Sequence, residues 1–259
     1  LCSTDAGDFG DNKLVTNCVG NNGANYKCTV GDLLNQWTQK FEENSISEPK
    51  ESVEHILAHC LGTRRLSVRL PVQYIIGEWS FRSLNLKMSP PVFIPRPETE
   101  ELVDIVSAEI ARDNVAHVLD LCCGSGAISL SLLQERPIVK VTAVDQSKEA
   151  CGLTKENAQK NDVNSRIRII QSELGNLEFH EKFDLIVSNP PYDLRALNGG
   201  KDGLDVIKII LKLSSEYLNE NGKLFLEVEP RHPKLLRNYL LANSALRLAY
   251  AETYKDFSV

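Results

Sequence analysis

Asp120-Leu121-Cys122-Cys123-Gly124-Ser125-Gly126 sits between two apolar runs, Val115-Ala116-His117-Val118-Leu119 before it and Ala127-Ile128-Ser129-Leu130-Ser131-Leu132-Leu133 after it. The first run reads as a buried strand over 115–121 and the second as a helix over 127–134. The glycines between them mark a tight strand-to-helix turn. The alternation continues outward from this point. Strands are predicted at 139–144, 166–170, 183–188 and 223–228, and helices at 148–161, 204–218 and 233–242. Upstream, Glu98-Thr99-Glu100 opens a helix that runs to about residue 111. Strands alternating with helices in this way predict an α/β fold with a parallel, doubly wound sheet.

The same turn carries the first chemical signal. Gly124 and Gly126 allow a ligand close to the backbone, and the helix start favours a carboxylate or phosphate. The second strand then ends at Asp145, roughly twenty residues further on, where an acid accepts hydrogen bonds from two ribose hydroxyls. Together these predict a nucleoside-containing cofactor rather than a merely tight turn. The third glycine of a dinucleotide fingerprint would fall at Ser129, so a pyrophosphate is disfavoured. Asp-x-x-x-Gly-x-Gly fits S-adenosylmethionine better, whose amino-acid end needs a partner for its carboxylate and another for its ammonium.

Asn189-Pro190-Pro191-Tyr192 follows the apolar strand Phe183-Asp184-Leu185-Ile186-Val187-Ser188. Neither proline has an N–H to donate, so the segment stops the strand and holds its backbone stiffly. An Asn amide, carbonyls beside prolines and an aromatic face suit one task, gripping a planar –NH2 group. An amide nitrogen is a poor nucleophile. Hydrogen bonds accepted from its N–H groups by the Asn189 side-chain oxygen and the Pro190 carbonyl would orient it and raise its electron density. A protein amide and an exocyclic base amine both remain open at this point.

Composition narrows the rest. The 259 residues are 42% hydrophobic and 25% charged, with a formal net charge of −6 and a pI near 5.5. That acidic balance argues against a protein that coats nucleic acid, and no apolar run reaches the roughly 18 residues of a membrane span. The seven cysteines form no Cys-x-x-Cys pair and read as reduced thiols in an intracellular compartment, without a metal site. His55 and His59 lie i, i+4 on a helix but lack a third ligand. Residues 1–25, rich in Gly, Asn and Asp, read as a loose tail. Residues 26–70 read as a small helical domain, with Leu33, Leu34, Trp37 and Phe41 at helical spacing and Gly62 stopping a second helix. Residues 71–95 read as a β-hairpin linker, in which Tyr74-Ile75-Ile76, Trp79-Ser80-Phe81 and the run 84–88 alternate as strands. Residues 96–259 form the ligand-binding domain. The chain begins at Leu1 and its one methionine is Met88, so Leu1 is not read as a native translation start, which leaves room for a targeting peptide before it.

With these motifs in order, the sequence resembles the HemK/PrmC release-factor glutamine methyltransferases over most of residues 30–257. The resemblance rests on Pro71-Val72-Gln73-Tyr74-Ile75-Ile76-Gly77-Glu78-Trp79, Phe93-Ile94-Pro95-Arg96-Pro97-Glu98-Thr99-Glu100, the two motifs above, and Gly199-Gly200-Lys201-Asp202-Gly203-Leu204-Asp205. The wording is closest to the animal mitochondrial branch. The resemblance implies a Rossmann-like S-adenosylmethionine-dependent methyltransferase sheet, a helical substrate-recognition domain and a hairpin linker. It implies methylation of the side-chain amide (N5) of the glutamine in the Gly-Gly-Gln tip of a peptide-chain release factor, in translation termination, by a mitochondrial protein; nothing in the sequence suggests an obligate dimer, and a monomer is expected. Carried over by position, Cys122, Cys123, Gly124, Ser125 and Gly126 line the methionine end of the cofactor, Asp145 binds its ribose, and Glu173 and Leu174 flank its adenine. Asn189, Pro190, Pro191 and Tyr192 hold the glutamine, with Asn189, Pro190 and Tyr192 closest to the chemistry. Arg96, Glu98 and Thr99 border the same pocket. Three stretches run shorter than the family's pattern, after Gly62, after Tyr192 and past Phe257, and Leu174 stands where the family often has an aromatic residue. Two alternatives are an adenine-N6 DNA/RNA methyltransferase and a non-catalytic S-adenosylmethionine-binding partner protein.

Overall fold

The computed structural model describes residues 16–19, 25–28, 30–44, 49–60, 71–113, 115–191 and 204–255. They divide into two compact units, the first running to Trp79 and including Met88–Pro90, the second comprising Ser80–Lys87 and Pro91 onward.

In the first unit, β1 (Thr16–Val19) and β2 (Asn25–Cys28) pair antiparallel, with Thr16 opposite Cys28. This pairing falls partly in the stretch expected as a loose tail; residues 1–15 lie outside the described residues. Helices α1 (Val30–Glu43) and α2 (Pro49–Cys60) follow and pack together. Trp37 and Phe41, one turn apart on α1, meet edge to face at 6.3 Å. Tyr74-Ile75-Ile76 is not a strand. It belongs to the single turn α3 (Val72–Ile76), bracketed by Pro71 and by Gly77, whose φ of +75° closes the turn with an N–H bond to the Gln73 carbonyl.

A two-stranded pairing follows, and its turn belongs to the second unit. Strands β3 (Glu78–Phe81) and β4 (Leu84–Lys87) pair, and Leu84 and Leu86 turn inward while Asn85 and Lys87 face out. The turn residue Arg82 reaches α4 (Pro97–Asp113) and α5 (Ala127–Glu135). Its guanidinium meets Asp104 and Glu135, each at 2.7 Å, and donates to the Glu100 carbonyl at 3.0 Å. Helix α4 starts where Pro97 presets its first φ, with Glu98 and Glu100 complementing the helix dipole in the first turn.

The sheet contains five parallel strands among the described residues: β5 (His117–Leu121), β6 (Lys140–Asp145), β7 (Ile167–Gln171), β8 (Phe183–Ser188) and β9 (Leu218–Leu226). Their spatial order is β7-β6-β5-β8-β9. Leu119, Leu121, Val144, Leu185, Ile186 and Val187 are fully buried, as expected for a parallel sheet covered on both faces. Helices α6 (Lys148–Lys160), α7 (Asp205–Tyr217) and α8 (His232–Ala242) complete the alternation with α5. The chain order reverses between β5 and β8. Open α/β sheets bind ligands in the crevice outside such a switch point.

Candidate active site

Strand register gathers the predicted residues. Leu121 lies opposite Val144 on one side and Ser188 on the other. The next residue of each strand path is therefore Cys122, Asp145 and Asn189. Three motifs distant in sequence leave neighbouring strand ends together at the switch point.

The turn after β5 needs its glycines for separate reasons. Cys122, Gly124 and Gly126 all have positive φ (+65°, +57° and +83°). A Cβ on Gly126 would lie 3.0 Å from Thr154 Cγ2 and 3.1 Å from Leu130 Cδ1. A Cβ on Gly124 would meet nothing within 4 Å, which leaves that backbone open to the cleft. The turn is held from behind. Thr154 Oγ1 donates to the Gly124 carbonyl at 3.0 Å, and Asn157 Nδ2 donates to the Ser125 carbonyl at 3.0 Å. The fully buried Asn157 also bonds both the N–H and the carbonyl of Lys87, at 2.6 and 3.1 Å, so one amide ties the loop to strand β4.

Asp145 is clasped by its own surroundings. Its Oδ2 accepts from Gly124 N and its Oδ1 from Ser147 N, both at 2.9 Å. Asp120, fully buried beneath the turn, takes a 2.5 Å bond from Ser129 Oγ on Oδ2, while Oδ1 has no hydrogen-bond partner. Burial, and the nearby Asp145 charge, push its carboxyl up to about 7 despite the Ser129 bonds. Burial likewise pushes the Cys122 thiol up to about 12 and raises those of Cys123 and Cys151, so none is a ready nucleophile.

A cleft of about 1020 Å³ opens over these strand ends. Cys122, Cys123, Gly124, Ser125 and Asp145 line one part of it, with Glu173 and Leu174 beyond β7. Asn189, Pro190 and Pro191 line another part, beside Arg96 and Thr99. Asn189 Nδ2 donates to Thr99 Oγ1 at 3.2 Å. Two predicted residues stand apart. Gly126 shapes the turn from below the lining, and Glu98, in the first turn of α4, is not on the cleft wall. Tyr192 lies outside the described residues.

Sequence reasoning missed part of the wall. Val92 packs on Ala150 and Leu153 of α6, and this anchor leaves Phe93 59% exposed at the cleft, its ring 5.6 Å from the Arg96 guanidinium. Ile128 and, from α7, Asp205, Val206 and Ile209 also line it. The signal for Phe93 was present in the Pro-Pro-Val-Phe-Ile-Pro stretch, where an aromatic without a burying period asks for a role. The cleft suits a nucleoside carrying an amino-acid tail. It offers a carboxylate at the end of β6, open backbone at Gly124, and apolar walls from Val92, Ile128 and Leu174.

Comparison with known proteins agrees with this chemistry. Residues 99–249 match the family described as Methyltransferase small domain. The human protein named MTRF1L release factor glutamine methyltransferase is 40% identical, with 87% of this chain and 83% of that protein aligned. The release factor glutamine methyltransferase of Streptococcus pneumoniae is 38% identical, with 77% of this chain and 75% of that protein aligned. Among solved structures, the 16S rRNA methyltransferase RsmC of T. Thermophilus superposes with a TM-score of 0.52 over 62% of this chain and 44% of that one. At 23% identity it speaks to the fold alone. The chain thus belongs to the release factor glutamine methyltransferases, a family of S-adenosylmethionine-dependent enzymes built on the Rossmann-like sheet described above.

Proposed function

We propose that the protein methylates the side-chain amide nitrogen (N5) of the glutamine in the Gly-Gly-Gln tip of a peptide-chain release factor. The observation that carries this reading is the meeting, in one cleft, of Asn189-Pro190-Pro191 with the glycine turn and Asp145. Cys122 to Ser125 border the methionine end of the cofactor, with Gly126 shaping their turn. Asp145, pre-aimed by two backbone N–H groups, takes the ribose. Glu173 and Leu174 flank the adenine. Bound there, S-adenosylmethionine would supply a sulfonium methyl to the amide nitrogen, which would give its proton to water and leave S-adenosylhomocysteine as the product.

The protein's contribution is orientation. Asn189 Oδ1 and the Pro190 carbonyl accept the two amide N–H bonds, which localises the nitrogen lone pair toward the methyl. The prolines fix those acceptors at little entropic cost. Arg96 and Thr99 border the glutamine. The protein acts as a monomer on a protein partner, without direct contact to nucleic acid, in mitochondria. The kinship to the human protein and the animal-type wording of the motifs support that compartment. Among the described residues no helix is long and apolar enough to cross a membrane.

The test is incubation with labelled S-adenosylmethionine and a release factor, or the same factor with its tip glutamine changed to alanine. Label on the first and not the second is expected. Label on DNA or RNA, or none on protein, would overturn the reading. Asn189→Ala should keep cofactor affinity and lose transfer by on the order of a hundredfold.

A further inference from the structure

We propose that Thr154 is a positioning residue that holds the Ser125 N–H ready for the carboxylate of the cofactor's methionine end. This rests on the placing of that end at Cys122 to Ser125 given above. The turn is pinned peptide by peptide. Cys123 N donates to the Val144 carbonyl at 3.0 Å, Gly124 N to Asp145 Oδ2 at 2.9 Å, and Gly126 N to the Cys123 carbonyl at 2.8 Å. Ser125 differs. Its N–H makes no hydrogen bond among the described residues, although Ser125 is 3% exposed and lines the cleft. A buried N–H without an acceptor is costly, so it calls for one from the cleft. Of the groups at the methionine end, the carboxylate is the acceptor.

Aiming that N–H falls to Thr154. The peptide between Gly124 and Ser125 is trans, so its C=O and N–H point opposite ways. Thr154 Oγ1 bonds the Gly124 carbonyl at 3.0 Å. A carbonyl only accepts, so the hydroxyl proton is committed to it. Cys123 Sγ lies 3.6 Å from the same oxygen; burial raises its thiol, so it keeps its proton and donates to Oγ1. The sense of both contacts is thereby fixed. Thr154 is fully buried on α6 and lies outside the cleft lining, so a carbonyl drawn to it turns the Ser125 N–H the other way. Sterics alone would not do this. Gly124, at φ +57°, has open space where a Cβ would sit, and its peptide is free to flip. Flipped, it would meet the carboxylate with a carbonyl oxygen. Asn157 holds the next carbonyl, that of Ser125, at 3.0 Å, which confines the freedom to this one peptide.

The experiment measures, by calorimetry, the affinity of three ligands for the unaltered protein and for Thr154→Val, Thr154→Ala and Thr154→Ser. S-adenosylmethionine and S-adenosylhomocysteine both carry the amino-acid tail, the second without the sulfonium charge; methylthioadenosine lacks the tail. Thr154→Val is expected to weaken the first two by about tenfold and methylthioadenosine by less than about twofold. Thr154→Ala covers the case in which valine does not fold and should behave alike. Thr154→Ser keeps the O–H and should stay within about twofold for all three. Independently of any variant, hydrogen exchange at the Ser125 amide of the unaltered protein should slow about tenfold more under saturating S-adenosylhomocysteine than under methylthioadenosine. Equal weakening of all three ligands would make Thr154 a scaffold residue and overturn the proposal. So would unchanged affinities, losses in Thr154→Ser equal to those in Thr154→Val, or Ser125 exchange that does not tell the ligands apart. If the unaltered protein binds S-adenosylhomocysteine no more tightly than methylthioadenosine, the placing of the methionine end falls and the proposal with it.

Discussion

Asp120→Asn is expected to flatten the pH dependence of stability. Asp120 is fully buried, with one oxygen bonded to Ser129 and the other without a partner. Burial moves its carboxyl from 3.8 to about 7 in the folded protein. The native state thus holds a proton that the unfolded chain releases near pH 4. Its stabilising effect is fully present below the unfolded value and fades as pH rises toward 7. The displacement corresponds to about 4 kcal/mol in total, of which about 3 kcal/mol is lost between pH 5 and pH 8. Asparagine cannot ionise. Its amide leaves an N–H where Oδ1 had no partner, at about 1–3 kcal/mol, but that cost is the same at every pH. The stability gap between the variant and the unaltered protein should therefore move about 3 kcal/mol in the variant's favour from pH 5 to pH 8. Urea unfolding of cofactor-free protein at several pH values, extrapolated to water, measures this gap directly. A gap that stays constant from pH 5 to pH 8 would refute the reasoning and show that Asp120 is charged throughout.

Gly126→Ala combines a positive φ with contacts of 3.0 to 3.2 Å to Thr154 and Leu130, and should cost about 2–4 kcal/mol in urea unfolding. Adding Thr154→Ser, which removes the methyl at 3.0 Å, should return part of that loss; strict additivity would speak against the clash. Asn157→Ala strips three backbone groups, two part-buried at Lys87 and one buried at Ser125, of their partner, and about 2–4 kcal/mol of stability should go with them. Hydrogen exchange should quicken at the Lys87 amide first. Asp145→Ala should weaken S-adenosylmethionine by about 10- to 100-fold in calorimetry, because a charged acceptor is lost and the Gly124 and Ser147 N–H groups are released.

The residues gathered at the strand ends are legible because a tight strand-helix turn and an abrupt strand stop call for particular residue types. Gly124 and Gly126 announce positive φ, Asp145 an acid at a strand end, and Asn189-Pro190-Pro191 a rigid set of acceptors. Where the reading failed, the local signal was too short or belonged to another effect. Tyr74-Ile75-Ile76 is too brief to show a period, and Pro71 and Gly77, not its apolar residues, make it a helical turn. Glu98 matches the family motif and sits in the first turn of α4, outside the residues that line the cleft. Cys122 adopts a positive φ that its residue type does not advertise. The supporting bonds were less legible still. Asn157 reaches Lys87 across 70 residues, and Asn189 reaches Thr99 across 90. A buried Asn or Thr in a helix reads, from sequence, as one more polar position on a solvent face. Only the fold reveals that its amide or hydroxyl is already committed elsewhere. Residues that touch a ligand are constrained by the ligand's chemistry and show in the type of residue chosen. Residues that aim them are constrained by geometry between distant segments, and that constraint exists only once the chain has closed.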